Sequence, residues 1–369
     1  MNPMDEAPKY RKIFEQLREE ILSGRFAATE RFPSEEQLVR RFRVSRNTVR
    51  SALEDLKRAG IIETRNGAGT YLSTAMARAT GAIGLIVPGF ATGEIFPRIC
   101  TQIMTDARRN GYATLFGDAS TGAPDVRTTQ VLRLAHDYAD RKVDGVILEP
   151  PELLPNAERT TRTVLDIFDR NGIPVVLLDR DITDGTRRSG YDLVGINNFD
   201  VGYMLARHLV EQGAKSVHML IRPGSAPTVR QRAQGVREAL LDLGLRWGKS
   251  SLLEFEPDDE KLVGRAFSRK VDAVVCGNDA TAARLIGALG RIGRRVPQDI
   301  LVAGVDDIRL STLISPKLTT VRQPCEEIAT AAVRTLLDRI RNPRQAAREI
   351  RLGGALVVRE SSVRLSQAV

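Results

Sequence analysis

Arg46, Asn47 and Arg50 lie within one turn and a residue of each other in the stretch RVSRNTVRSALEDLKRAG, residues 43–60. Residues three and four apart share a helix face, so Arg46 and Arg50 stand side by side, opposite Val49 and Leu53. An arginine can bond guanine O6 and N7 in bidentate fashion, or grip a phosphate. Ser45 and Thr48 can reach phosphate oxygens, as can the backbone amides at the helix start. A second basic group follows in Arg65-Asn66-Gly67-Ala68-Gly69, where Gly67 and Gly69 allow close approach of backbone to another molecule. Ser34 and Arg43 complete this candidate set. A basic helix with a basic glycine-rich loop beside it suits the dimensions and charge of a DNA groove.

Three helices and a ribbon must position these groups. Ile13, Phe14, Leu17 and Ile21 recur at helical spacing between Tyr10 and Ser23, and Gly24 closes that helix. Ser34 caps a second helix with Glu35 and Glu36 in its first turn and Leu38 and Phe42 on its buried stripe. Ser45 caps a third, with Val49, Ala52, Leu53 and Leu56 inward and Gly60 as the stop. Residues 61–64 and 70–72 read as two strands around the glycine turn. The pattern is a winged helix-turn-helix over residues 1–72. Residues 73–80, STAMARAT, lack periodicity and read as a linker to an 81–369 segment.

Charge follows the same division. Residues 9–72 hold fourteen Lys or Arg against nine Asp or Glu, a surplus of five within a chain of net charge +9. More than half of the excess thus sits in about a sixth of the length, which favours a polyanionic partner for that segment. The first sixteen residues lack an apolar export core and no run approaches a membrane span, so a cytoplasmic protein is expected. Cys100, Cys276 and Cys325 are scattered among apolar neighbours, and neither they nor His136, His208 and His218 have metal-ligand spacing. No cofactor is expected.

From Gly81 onward, apolar runs such as AIGLIV (82–87), IPVVLLD (173–179) and ILVAGVD (300–306) alternate with helical segments. Strands apolar throughout and spaced by helices imply parallel sheets covered on both faces. Nearly 290 residues exceed one comfortable core, so two α/β lobes are expected. Open parallel sheets bind ligands beyond the carboxyl ends of their strands, and Asp179, Asn278-Asp279 and Asp306-Asp307 lie at such ends. Carboxylates accept from vicinal hydroxyls while amides and guanidinium donate, a set suited to a polyol. Each acid also has a plainer role, since a strand-end Asp often caps the following helix; Asp279 and Asp307 read as caps or hinge bonds and rank below Asn278 and Asp306 for that reason. Phe96 and Phe255 could stack on a sugar face, although a core role is the simpler reading of each.

The stretch FPSEEQLVRRFRVSRNTVRSALEDLKRAGIIETRNGAGTYL resembles the GntR family of bacterial transcription regulators. That resemblance implies that Ser45, Arg46, Asn47, Thr48 and Arg50 meet DNA and that the wing at 65–69 enters the minor groove or lies on the backbone. One departure is Glu36, where the family commonly has a basic residue; Arg40, Arg41 or Arg43 are candidates to compensate. Residues 81–369 resemble the effector domain of LacI-type repressors, itself similar to periplasmic sugar-binding proteins of type I. The carrying segments are PVVLLDRDI, VGINNFDVGYMLARHLVEQG, TVRQRAQGVREAL, CGNDATA, ILVAGVDD and PKLTTVRQP. This implies effector contacts from Arg232, Asn278 and Asp306, with Gln323 near a lobe crossover and crossovers near 190, 323 and 354. The combination is similar to arabinose-repressor-type hybrid regulators.

The expectation is therefore a repressor of sugar-utilisation genes: a homodimer binding palindromic double-stranded operator DNA under control of a sugar-like effector. A sensor of a nucleoside or sugar phosphate, and a non-regulatory sugar binder, are the alternatives. No nucleophile elbow, phosphate loop or dinucleotide fingerprint stands in a strand-to-helix setting, so no enzyme is expected.

Overall fold

The computed structural model describes residues 9–22, 26, 31–58, 61–65, 69–72, 81–88, 95–117, 119, 122–152, 154, 156–182, 188–268 and 271–364. Gly24, Gly60, Asn66, Gly67 and the linker 73–80 lie outside them. The N-terminal head holds α1 (Lys9–Leu22), α2 (Glu35–Phe42), α3 (Arg46–Arg58), β1 (Ile62–Arg65) and β2 (Gly69–Leu72). Ile13, Leu17 and Ile21 of α1 close on Leu38 of α2 and on Val49, Ala52, Leu53 and Leu56 of α3, in one apolar cluster. Ser34 and Gln37 form a reciprocal cap at the start of α2, each satisfying the other's backbone N–H. Arg43 ends α2 in the left-handed region at φ 50° and turns the chain into α3. The ribbon pairs Arg65 with Gly69 and Ile62 with Leu72. A feature not anticipated is a third, short stretch paired to the ribbon: Arg31 bridges Tyr71 and the Phe32 N–H donates to the Thr70 carbonyl at 2.7 Å.

The rest of the chain forms two lobes. Lobe 1 is a six-stranded parallel sheet of β3 (Ala82–Ile86), β4 (Ala113–Gly117), β5 (Gly145–Leu148), β6 (Val175–Leu178), β7 (Asp192–Ile196) and β13 (Glu349–Leu352), in the order β13-β7-β6-β5-β3-β4. Helices α4 (Ile95–Arg109), α5 (Pro124–Asp140), α6 (Ala157–Arg170) and α12 (Cys325–Arg341) belong to it. Lobe 2 is a four-stranded parallel sheet of β8 (Val217–Ile221), β9 (Leu252–Glu254), β10 (Ala273–Cys276) and β11 (Leu301–Ala303), ordered β11-β10-β8-β9. Its helices are α7 (Asn198–Glu211), α8 (Pro227–Asp242), α9 (Glu260–Ala266), α10 (Asp279–Arg291) and the short α11 (Leu310–Leu313). Every residue of β5, β6 and β10 is buried, as expected of strands covered on both faces.

The chain crosses between lobes three times: after β7 at residue 197, between β12 (Thr320–Arg322) and α12, and between β13 and β14 (Ala355–Val357). The first lies a few residues beyond the expected 190; the other two fall at the expected places. The helix α12, which returns the chain to pack on α4, was not foreseen in the sequence. Where α7 meets α8 the backbones touch. A methyl group at Gly202 would collide with the Arg232 carbonyl, and one at Gly235 with that of Phe199. This contact fixes the position of Arg232. Among the described residues no helix is long and apolar enough to cross a membrane.

Candidate DNA-binding head and ligand cleft

In the head, α3 buries Val49, Ala52, Leu53 and Leu56 and leaves Arg46, Asn47 and Arg50 exposed. Ser45 accepts a hydrogen bond from the Thr48 N–H, and the two hydroxyls lie 2.8 Å apart, so both order the first turn. Arg46 Nε donates to Glu35 at 3.0 Å, which leaves its two terminal nitrogens for another partner. Arg50 lies 3.5 Å from Glu54. These pairs are solvent-exposed, and such pairs contribute only about 0–1 kcal/mol, so a duplex can displace them. Glu36, which departs from the GntR pattern, pairs with Arg40 and so has its charge offset locally. Arg41 pairs with Glu20, while Arg43 has no carboxylate partner among the described residues. Arg65 lies over the Tyr71 ring, 4.8 Å from its centroid, with Glu63 beside it. Gly69 adopts φ 113°, a conformation that a side chain would strain.

In the core, the strand-end residues converge between the lobes. Arg232 of α8 is buried; its Nε donates to Asn198 Oδ1 at 2.8 Å and its Nη1 to the Gly277 carbonyl at 2.5 Å. Gln323, also buried, donates from Nε2 to Asp306 Oδ1 at 2.7 Å. Asn278 caps α10 by accepting from the Thr281 N–H at 2.8 Å. Asp179, Asp306 and Asp307 have φ of 69°, 121° and 52°. Non-glycine residues rarely occupy this region, and those that do concentrate at functional sites.

Four acids face two cations here. Glu149, Glu152 and Asp179 surround the buried Arg180, with Glu152 and Asp179 oxygens 3.0 and 3.1 Å from its nitrogens. Burial disfavours the Arg180 charge, but Glu152, Glu149 and Asp179 together hold the guanidinium protonated. Burial also opposes ionisation of Glu152, yet Arg180 and the Ala226 N–H hold its carboxyl below the usual range. That N–H belongs to the start of α8 in lobe 2, at 3.2 Å, so Glu152 ties the two lobes together across the cleft. Burial pushes Asp306 up to about 6, against the pull of Arg232 and Gln323. The opening beside Glu152, Arg180, Ala226 and Pro227 has a volume of about 430 Å³.

Neither Asp279 nor Asp307 caps the helix that follows it, since Asn278 caps α10 and Asp307 lies outside the start of α11; both acids bond β12 near a crossover instead. Asp279 accepts from Thr320 Oγ1 at 2.6 Å and from the Ile308 N–H at 3.1 Å, and burial pushes it up to about 8. Asp307 binds Arg322 at 2.7 Å and Arg359 at 2.5 Å; burial would raise it, but these cations hold it low. Phe96, a candidate effector contact for which a core role is the simpler reading, is 6% exposed and packs in the apolar cluster of α4; Phe255 is likewise in a core cluster. Sequence reasoning did not single out Glu149, Glu152, Arg180 or Asn198. Glu149 follows β5 directly and Arg180 follows Asp179, so the strand-end criterion already pointed to both. Among the described residues no group of acids, cysteines and histidines could hold a metal ion.

Residues 9–72 match the family described as "Bacterial regulatory proteins, gntR family" and residues 206–362 match the "Periplasmic binding protein-like domain". The chain is 30% identical to the "HTH-type transcriptional repressor PurR" of Photorhabdus laumondii subsp. laumondii, over 86% of this chain and 91% of that protein. Its fold resembles the "transcriptional regulator CelR-cellobiose complex", with TM-score 0.66 and 24% identity over 86% of this chain and 91% of that one. It also resembles the transcription regulator GntR from Chromobacterium violaceum, with TM-score 0.60 and 26% identity over 76% and 99% of the two chains.

Proposed function

We propose, for a chain that belongs to the PurR- and LacI-type family of bacterial transcription repressors and carries a gntR-family head, that the effector is a neutral polyhydroxyl molecule of sugar type. The observation that carries this reading is the charge of the cleft. Glu149, Glu152, Asp179 and Asp306 outnumber Arg180 and Arg232, and Arg180 is already enclosed by three of the acids. A phosphate would be repelled by this excess of carboxylates, whereas hydroxyls can donate to the carboxylates and accept from Arg232. A sugar phosphate is disfavoured on the same ground.

The effector contacts in this reading are Asp179, Arg232, Asn278 and Asp306, with Gln323 setting Asp306. The DNA contacts are Arg43, Ser45, Arg46, Asn47, Thr48, Arg50, Arg65 and Gly69, with Ser34 at the start of α2. The division is a head to residue 72, a connection over 73–80 and an effector unit over 81–369. The protein acts in the cytoplasm as a homodimer whose two heads read a palindromic operator, as two-fold symmetry requires. Exposed Met104, Phe116 and Val126 near the lobe 1 edge strand β4 support a pairing face there. Effector bound between the lobes strengthens the closure that Glu152 and the Ala226 N–H already make. The ligand and the operator must then weaken each other by the same factor, roughly 5–150-fold in coupled systems.

The test is a pair of titrations with a duplex selected by the protein from a random pool. Arg46→Ala with Arg50→Ala should abolish preference for that duplex over a scrambled one, and retained preference would refute the assigned helix. A thermal-shift screen of pentoses, hexoses, their phosphates and nucleosides should show stabilisation by a neutral sugar and none by the phosphates. Stabilisation by phosphorylated compounds alone would refute the effector class.

A further inference from the structure

We propose that Arg31, outside the helix-turn-helix and the wing turn, grips the DNA phosphate backbone from the wing face of the head. The inference rests on the reading of the head as DNA-binding. Three observations carry it.

The first is placement. Arg31 bridges Tyr71 in antiparallel register, and the Phe32 N–H bonds the Thr70 carbonyl, so residues 31 and 32 add a third short stretch to the ribbon. Residues two apart on a strand share a face, so Arg31, Tyr71 and Gly69 lie on one side. The Arg31 guanidinium reaches along that side to rest against Gly69, where a methyl group would collide with its Nε, Cζ and Nη2. Arg65 reaches the same side from β1 and covers Tyr71. Two guanidiniums therefore flank a glycine that presents bare backbone at the wing.

The second is electrostatic. Arg40, Arg41, Arg46, Arg50, Arg58 and Arg65 each lie against a carboxylate within the head. Arg31 is exposed and, among the described residues, lies against none. Its positive charge is not offset locally, which is what a phosphate contact needs and what folding of the head does not require.

The third is geometric. Gly69 at φ 113° lacks the side chain that would push the guanidinium aside. A planar guanidinium held at that place offers two parallel donors to a tetrahedral oxyanion. Phosphate contacts fix register and carry no sequence information, so Arg31 should set affinity and salt dependence rather than specificity.

The full chain, Arg31→Ala and Arg31→Lys should be titrated against the selected duplex and a scrambled duplex across a series of salt concentrations. Arg31→Ala is expected to weaken both duplexes by the same factor and to lower the slope of log affinity against log salt by about one. Arg31→Lys should restore the slope, since it keeps the charge. Unfolding midpoints equal to wild type would show that the head is intact, and the lysine variant keeps the test decisive if the alanine variant is not. Unchanged affinity and slope in Arg31→Ala would overturn the proposal, as would a loss confined to the selected duplex, which would make Arg31 a base reader. Arg46→Ala in the same titration separates the two levels. If it loses preference while Arg31→Ala behaves as wild type, the Arg31 assignment fails alone; if neither changes anything, the DNA-binding reading of the head fails with it.

Discussion

Replacing Asp306 by asparagine should move folding stability and effector affinity in opposite directions. The carboxyl accepts from Gln323 and is pushed up to about 6, chiefly by burial, although Arg232 and Gln323 oppose the rise. An aspartate in an unfolded chain titrates near 4. The folded value is the higher one, so the folded state holds the proton more tightly. Stability is therefore greatest below about pH 4, falls as pH rises through about 4 to 6, and carries the full penalty above that window. About two pH units at about 1.4 kcal/mol each place that penalty on the order of 2–3 kcal/mol at pH 8. Asparagine keeps the shape and the acceptor for Gln323 but carries no charge. Asp306→Asn should thus gain on the order of 2 kcal/mol at pH 8 and little at pH 4. Asp279, raised by burial and then by the charge of Asp306, should fall toward its usual value in the variant and add to the gain. On the ligand side, a hydrogen bond to a charged acceptor contributes roughly 1.5–3 kcal/mol and a neutral one about 0.5–1.5. The difference predicts effector binding weaker by about tenfold. Denaturant unfolding at pH 4.5 and pH 8, with effector-driven release of the selected duplex, measures both. A variant less stable at pH 8, or equally stabilised at both pH values, would refute the argument that burial of this charge is the cost. An unchanged release midpoint would remove Asp306 from the effector site.

Two further outcomes follow from the packing of the cleft. Gly202→Ala should cost roughly 1–3 kcal/mol in unfolding, as inserted methyl groups do in tight contacts, and should blunt effector response by moving the Arg232 backbone; an unchanged melting curve would show that the helices have room to part. Arg232→Gln should leave operator affinity near wild type while effector no longer releases the duplex, and the Gly277 carbonyl left without a donor should cost about 1–3 kcal/mol in stability. Release at wild-type effector concentrations by that variant would displace Arg232 from the site.

The head was legible because its signals are local. The Ser34 cap, the inward stripe of α3 and the pairing of Arg65 with Gly69 each lie within a few residues, and helix periodicity alone puts Arg46 and Arg50 on the outer face. The alternation of apolar strands with helices likewise announced two parallel sheets, since strands covered on both faces are apolar throughout. The strand-end rule reached Asp179, Asn278 and Asp306 for the same reason: it needs only the end of an apolar run.

Tertiary structure decided what depends on residues far apart. Arg180 meets Glu149 across 31 positions, Ala226 meets Glu152 across 74, and Arg31 meets Tyr71 across a break in periodicity. The charge of the cleft is a sum over those meetings, so no single stretch carries it. Phe96 shows the same dependence: its sequence position leaves both stacking and packing open, and neighbours from other elements enclose it in the core. The sequence by itself determined the kinds of element and the faces they present, because hydrophobic period and capping act over one or two turns. The fold alone determined which charges neutralise each other, because Coulombic pairing and desolvation depend on distance in space and not on distance along the chain.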